Sequence, residues 1–289
     1  TRIDFTFTGR SAHAAGAPHL GRSALDAIEL MNVGVNYMRE HMPPDARVHY
    51  AYLDAGGIAP NVVQARAKVR YAVRAGTRAP MLVLVERVKR IAEGAALMTE
   101  TAMEWRLLSS FSELVGNAPL ERAMQAQFER LGPPPFDDAD RAFARAIQAT
   151  LSAEDIHTAY AVAGAEVEDG VPLHEGIVPL EAQGLPLMGS TDVGDVSWVV
   201  PTVQAHCATM AIGTPAHSWQ VTAQGKSKLA KKGMAMAAKV MAGTALEALT
   251  DPELVAAAKA DLARRTAATP YESPIPDGTE PPFFMGAGG

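Results

Sequence analysis

Arg66-Ala67-Lys68-Val69-Arg70-Tyr71-Ala72-Val73-Arg74 is the stretch whose reading decides the fold. Ala67, Val69, Tyr71 and Val73 alternate with Arg66, Lys68, Arg70 and Arg74. A period of two puts the apolar set on one face of a strand and the cations on the other. Upstream, Gly56-Gly57 and Pro60-Asn61 mark a loop, and Val48, Tyr50 and Tyr52 predict a preceding strand.

Further upstream, Leu25, Ile28, Met31, Val35, Met38 and Met42 recur at steps of three and four. That spacing predicts a helix over Arg22–Met42, stopped by Pro43-Pro44. Ile3, Phe5 and Phe7 alternate with Asp4, Thr6 and Thr8, as in a half-buried strand. Downstream, Pro80 suits a first helical turn, and Leu84, Val88, Ile91 and Ala95 follow at helical spacing. Met103, Trp105 and Leu107 then predict a fourth strand. The order strand, helix, strand, strand, helix, strand is the ferredoxin-like βαββαβ motif. Both helices would cover one sheet face. The cations of the other face read as a solvated surface.

The remaining residues are less regular. Asn117-Ala118-Pro119 predicts a helix start, with Leu120, Met124, Phe128 and Leu131 on its apolar face and Gly132 at its end. Phe143, Ile147 and Leu151 suggest another helix. Ser152–Pro186 carries no clear period, and pattern assigns it no element. The apolar run Val203–Ile212 is expected to be a buried strand. Long helices are expected over Lys226–Leu249 and Asp251–Arg265, followed by a Pro- and Gly-rich tail from Thr266. Few strands and several helices suggest a sheet completed by something outside these residues. Thr1 opens directly into a strand pattern, so the front of the domain is expected to lie ahead of it.

Composition narrows the function classes. The net charge of −6 gives no basic surface for nucleic acid. The longest apolar runs are far too short to span a membrane, and no signal peptide is visible. A single cysteine, Cys207, cannot form an internal disulfide, which fits a reducing, cytoplasmic setting.

Eight histidines are present: His13, His19, His41, His49, His157, His174, His206 and His217. No H-E-x-x-H, zinc-type Cys/His spacing, G-x-S-x-G or Walker loop occurs. No complete active site can therefore be read locally. Two loops stand out. Gly9-Arg10-Ser11-Ala12-His13-Ala14-Ala15 surrounds a histidine with small residues that would let a ligand approach. Its plainer reading is a surface histidine at a helix entry. Gly213-Thr214-Pro215-Ala216-His217-Ser218 leaves the apolar run, where a loop histidine suits either a ligand or a structural role.

At these loops a resemblance becomes visible. Gly9–His19, Gly57–Val63, Ser190–Ser197 and Gly213–Ser218 resemble motifs of the aminoacylase/carboxypeptidase family of co-catalytic metallopeptidases. The likeness extends over roughly residues 1–250. It implies a dimerisation lid over 1–111, the C-terminal part of a zinc-peptidase-like α/β catalytic domain over 112–265, and a tail over 266–289. It implies metal-dependent hydrolysis of an amide in a small N-acyl amino acid, with p-aminobenzoyl-glutamate the expected substrate. It further implies a homodimer formed through the lid and two divalent ions, zinc or manganese. His13 would match the lid histidine that polarises the scissile carbonyl in the partner's site. Asn61, Arg74 and Gly213 fall in the substrate-binding set, and the Arg74 guanidinium suits a carboxylate. His217 would be a metal ligand, and Asp192 a supporting acidic residue. The family's H-x-D motif, bridging acid and Glu-Glu pair precede the lid and find no match here. The chain alone is thus expected to be inactive. The alternatives are a non-catalytic dimerisation or binding module, and a sibling hydrolase of other N-acyl or indole-acyl amino acids.

Overall fold

A computed structural model describes residues 1–186, 189–281 and 283. The described residues divide into two compact units. One holds residues 1–113 and 190–195 together with those from 272 onward; the other holds 114–189 and 196–271.

The first unit is built on a four-stranded antiparallel sheet: β1 (Arg2–Thr8), β2 (Arg47–Asp54), β3 (Arg66–Arg74) and β4 (Ala102–Ser109), in the order β2-β3-β1-β4. Helices α1 (Ala24–Met38) and α2 (Arg78–Thr99) complete the βαββαβ order expected from the sequence. Ser23 starts α1 because its hydroxyl accepts the Asp26 N–H at 3.1 Å, one of the donors a helix start leaves unpaired. α1 ends earlier than the apolar spacing suggests, and a short 3-10 turn over Arg39–His41 carries the chain to the prolines. Ile28, Met31 and Val35 of α1 and Leu84 and Val88 of α2 close on Ile3, Phe5, Phe7, Val69 and Tyr71 of the sheet. A side chain at Gly34 would meet Ile91 Cγ2 at 2.7 Å, so glycine lets the two helices approach closely. The Tyr71 ring meets Phe5 edge-on at 5.8 Å, and its hydroxyl donates to the buried Asn32 amide oxygen.

The reading of β1 as half-buried is corrected. Asp4 and Thr6 are buried on the sheet face away from the helices, at 2% and 7% exposure. β1 is an inner strand, and long side chains of its neighbours cover that face. Lys68 and Arg70 are accordingly not a free solvated surface: both reach Asp4 at 2.7 Å.

The second unit is helical, and no strand occurs among its described residues. It contains α3 (Ala118–Leu131), α4 (Asp138–Gln148), α5 (Ala153–Ala163), α7 (Trp219–Gln224), α8 (Lys228–Thr250) and α9 (Pro252–Thr266). The short α6 (Val193–Ser197) spans the division between the units. Met124 of α3 packs with Met236 and Val240 of α8. Ile147 and Ala144 of α4 pack with Phe136, Leu173, Ala211 and Leu229. The Asn117 side chain starts α3 and also donates to Ala258 O of α9 at 2.9 Å.

Three expectations fail in this unit. Val203–Ile212 is not a strand, because an extended run becomes one only when a neighbour supplies ladder hydrogen bonds. Phe143 is an exposed residue of α4 rather than part of its buried face. The unassigned stretch contains α5, announced by a reciprocal capping box between Ser152 and Asp155.

Candidate functional site

The lid histidine is placed by a zipper of backbone hydrogen bonds. The loop after β1 folds against the loop before β3, with Gly9 N–H donating to Ala65 O, Val63 N–H to Ala12 O and Ala14 N–H to Asn61 O at 2.7–2.9 Å. His13 pairs with Val62 as an isolated bridge. His13 and Asn61, 48 positions apart in sequence, thus stand together at one end of the sheet, both exposed. Small residues at 12, 14 and 15 let the two loops lie this close. The His13 ring is held by its own turn. Its Nδ1 accepts the N–H of Ala15 at 3.2 Å and of Gly16 at 3.0 Å. A neutral imidazole with Nδ1 as acceptor carries its hydrogen on Nε2, so the ring offers a donor.

Arg74 lies elsewhere. It ends β3, whose first residue, Arg66, pairs with Thr8 beside the His13 loop. Nine extended residues put Arg74 about 26 Å from that end of the sheet. Within one chain, therefore, Arg74 does not meet His13 or Asn61. Arg74 is half-buried and pairs in register with Arg47 of β2.

In the second unit, His217 sits on the turn that leads into α7. It is exposed and adopts the left-handed backbone conformation, with φ of 58°. The turn is fixed from beneath by Gln224, which is fully buried. Its Oε1 accepts Ala211 N–H at 2.7 Å, and its Nε2 donates to Thr214 Oγ1 at 3.0 Å and to Gln220 O at 3.1 Å. Sequence reading missed Gln224; the available signal was a Gln220/Gln224 pair one helical turn apart behind the motif. Gly213 is buried with φ of 91°, and a Cβ there would come within 3.0 Å of the Ile156 backbone. It borders an open cavity of about 290 Å³ shared with His174 and Cys207. A larger cavity, about 450 Å³, lies between α3, α5 and residues 203–208 and is lined mainly by apolar side chains such as Met124, Phe128 and Val162. Burial raises the Cys207 thiol pKa above its ordinary value.

Asp192 is exposed on the turn before α6 and takes a long 3.5 Å hydrogen bond from Thr191 Oγ1. The neighbouring Asp195 is the anchor of its segment, accepting Ser112 N–H at 3.2 Å. Among the described residues, no three His, Cys, Asp or Glu side chains group closely enough to hold a metal ion. His217 can offer one imidazole, but the donor set present does not fit a metal centre.

Comparison with known proteins agrees with the fold and adds a family. Residues 1–99 match the M20 peptidase dimerisation domain. The chain is 42% identical to one of the two subunits of the p-aminobenzoyl-glutamate hydrolase of Escherichia coli (strain K12), over 97% of its own length and 60% of that protein. It is 26% identical to Xaa-Arg dipeptidase of Mus musculus, over 88% of its length and 49% of that protein. The chain thus spans about half to three-fifths of these relatives. The aminobenzoyl-glutamate utilization protein from Klebsiella pneumoniae, a solved structure, aligns over 45% of this chain and 33% of its own, with 27% identity and a TM-score of 0.38. From the matched dimerisation domain and the identity that runs along nearly its whole length, the chain belongs to the M20 family of peptidases and amidohydrolases.

Proposed function

We propose that this chain forms the dimerising and substrate-binding portion of an enzyme that hydrolyses the amide bond of an N-acyl amino acid. The favoured substrate is p-aminobenzoyl-glutamate, cut to p-aminobenzoate and glutamate; the 42% identity to the E. coli hydrolase supports that choice. The observation that carries the reading is the His13 ring, exposed and presenting Nε2–H as a donor. Addition of water to an amide carbonyl puts negative charge on its oxygen, and a preorganised donor at that oxygen typically contributes about 10²–10³ in rate. Asn61, beside His13, adds a second polar group, and Arg74 suits the glutamate carboxylate.

One substrate cannot touch His13 and Arg74 of the same chain across about 26 Å of strand, so two chains must share each site. A homodimer through the first unit supplies them. β2 is an edge strand, and Tyr52 and Leu53 on it, with Leu30, Val33 and Tyr37 of α1, are exposed apolar side chains suited to a second copy. Hydrolases of the M20 family are generally metal-dependent. The described residues do not fit a zinc or manganese centre, so no step is assigned to one. The same reading has the chain alone inactive and the protein cytoplasmic. No described helix is long and apolar enough to cross a membrane.

The test mixes two variants of the full-length protein. His13→Ala and Arg74→Ala are each expected to lose nearly all p-aminobenzoate release. Their random mixture should recover roughly a quarter of wild-type turnover, because each mixed dimer keeps one intact site. No recovery from the mixture rejects the shared site. Parallel assays with N-acyl and indole-acyl amino acids separate the sibling activities, and inactivity on every amide would leave a binding module.

A further inference from the structure

We propose that the Ala14-Ala15-Gly16 turn is a tautomer lock for His13, which makes its exposed nitrogen an obligate hydrogen-bond donor. This inference rests on the hydrolase reading for its purpose, but it is a property of the ring and can be tested without substrate. Two backbone N–H groups converge on Nδ1, from Ala15 at 3.2 Å and Gly16 at 3.0 Å. The turn that carries them is closed by Ala17 N–H to His13 O at 2.9 Å. It is tied to the neighbouring loop through Ala14 N–H to Asn61 O at 2.9 Å. The donors are therefore fixed before any ligand arrives.

Moving the hydrogen from Nε2 to Nδ1 would break both bonds and set one N–H against two others. Two lost hydrogen bonds suppress the Nδ1–H form by at least about tenfold relative to an unconstrained histidine. Nε2 is thereby committed to donating. It suits a carbonyl oxygen or an oxyanion. It cannot act as a metal ligand or a base unless the ring gives up both Nδ1 bonds. Ala15 and Gly16 are positioning residues that act through the ring, and their side chains take no part. A Cβ on Gly16 would lie 3.5 Å from Nδ1, an ordinary contact, so Gly16→Ala keeps the N–H and preserves the lock. Ala15→Pro and Gly16→Pro each delete one donor and leave Ala14 N–H in place.

The experiment is long-range ¹H–¹⁵N NMR on the ¹⁵N-labelled chain, at a pH where its imidazoles are neutral. His13→Gln identifies the His13 signals by their loss. The wild-type ring should show an unprotonated Nδ1 and a protonated Nε2, with less averaging than the exposed His19. Gly16→Ala should keep that pattern. Ala15→Pro and Gly16→Pro should shift it towards the averaged form of His19, with backbone amide dispersion otherwise retained. Wild-type signals already averaged like His19, or a protonated Nδ1, overturn the proposal without reference to any proline variant. In the full-length protein, Ala15→Pro should lower kcat severalfold with little change in KM. A locked tautomer in a protein that hydrolyses no amide would defeat the hydrolase reading and leave the lock standing.

Discussion

Replacing Asp4 by asparagine tests the electrostatics of the open sheet face. The Asp4 carboxylate is 2% exposed. Arg70 grips it as a fork, Nε to Oδ1 at 2.7 Å and Nη2 to Oδ2 at 3.2 Å, and Lys68 Nζ adds a contact at 2.7 Å. Asparagine has the same shape and leaves two cations facing a neutral amide. Breaking a fully buried ion pair costs about 3–5 kcal/mol, whereas an exposed pair is worth about 0–1 kcal/mol. The Lys68 and Arg70 side chains are 30% and 35% exposed and can swing partly into water. An intermediate loss of about 2 kcal/mol is therefore expected at neutral pH. The pH dependence has a definite sign. Burial pushes the Asp4 pKa up, but the Arg70 and Lys68 hydrogen bonds and charges outweigh it and hold the group below its ordinary value. A lowered folded pKa stabilises the fold fully above the unfolded value of about 3.9, and the contribution disappears as pH falls through the folded value. Wild type and Asp4→Asn should thus differ at neutral pH and converge in acid. Urea unfolding of the full chain, with hydrogen exchange read on peptides covering β1 and β3, measures the difference. A variant within about 0.5 kcal/mol of wild type at neutral pH, or a gap that stays constant into acid, refutes the argument.

Three further perturbations follow from the same geometry. Gln224→Leu would leave the Ala211 N–H and the Thr214 hydroxyl without their partner, costing about 2–4 kcal/mol in urea unfolding of the second unit, and an unchanged midpoint would contradict the network. Gly213→Ala forces a Cβ to within 3.0 Å of the Ile156 backbone at a positive φ. A loss of about 2 kcal/mol or more is expected there by thermal unfolding, and a neutral result would mean that the turn is not held against α5. Ser152→Ala removes the α5 capping box and should cost about 1 kcal/mol, visible as faster amide exchange in the first turn of α5 but not in α4.

The first unit was largely legible because its signals are local. Alternation over Arg66–Arg74 and Ile3–Thr8, and steps of three and four in both helices, name each element from its own residues. Asp4 escaped that reading, because alternation marks it as the outer face and only the flanking strands bury it. The second unit was harder to read. The apolar run Val203–Ile212 has strand-like composition, but a ladder needs a partner that no local pattern supplies. The α5 helix carries a weak apolar stripe, with Tyr160 its buried side chain, so the hydrophobic period is silent. The Ser152–Asp155 capping box was the one available cue.

By itself, the sequence determined which residues could do chemistry and which elements carry the first unit. Side-chain type and spacing over a few residues are enough for both. Only the tertiary structure decided that His13 and Asn61 share one end of the sheet and Arg74 the other, and that Gln224 underpins the His217 turn. Those relations depend on strand register and loop pairing between residues far apart in the chain. Register is settled when whole faces are buried together, so no short stretch of sequence contains it.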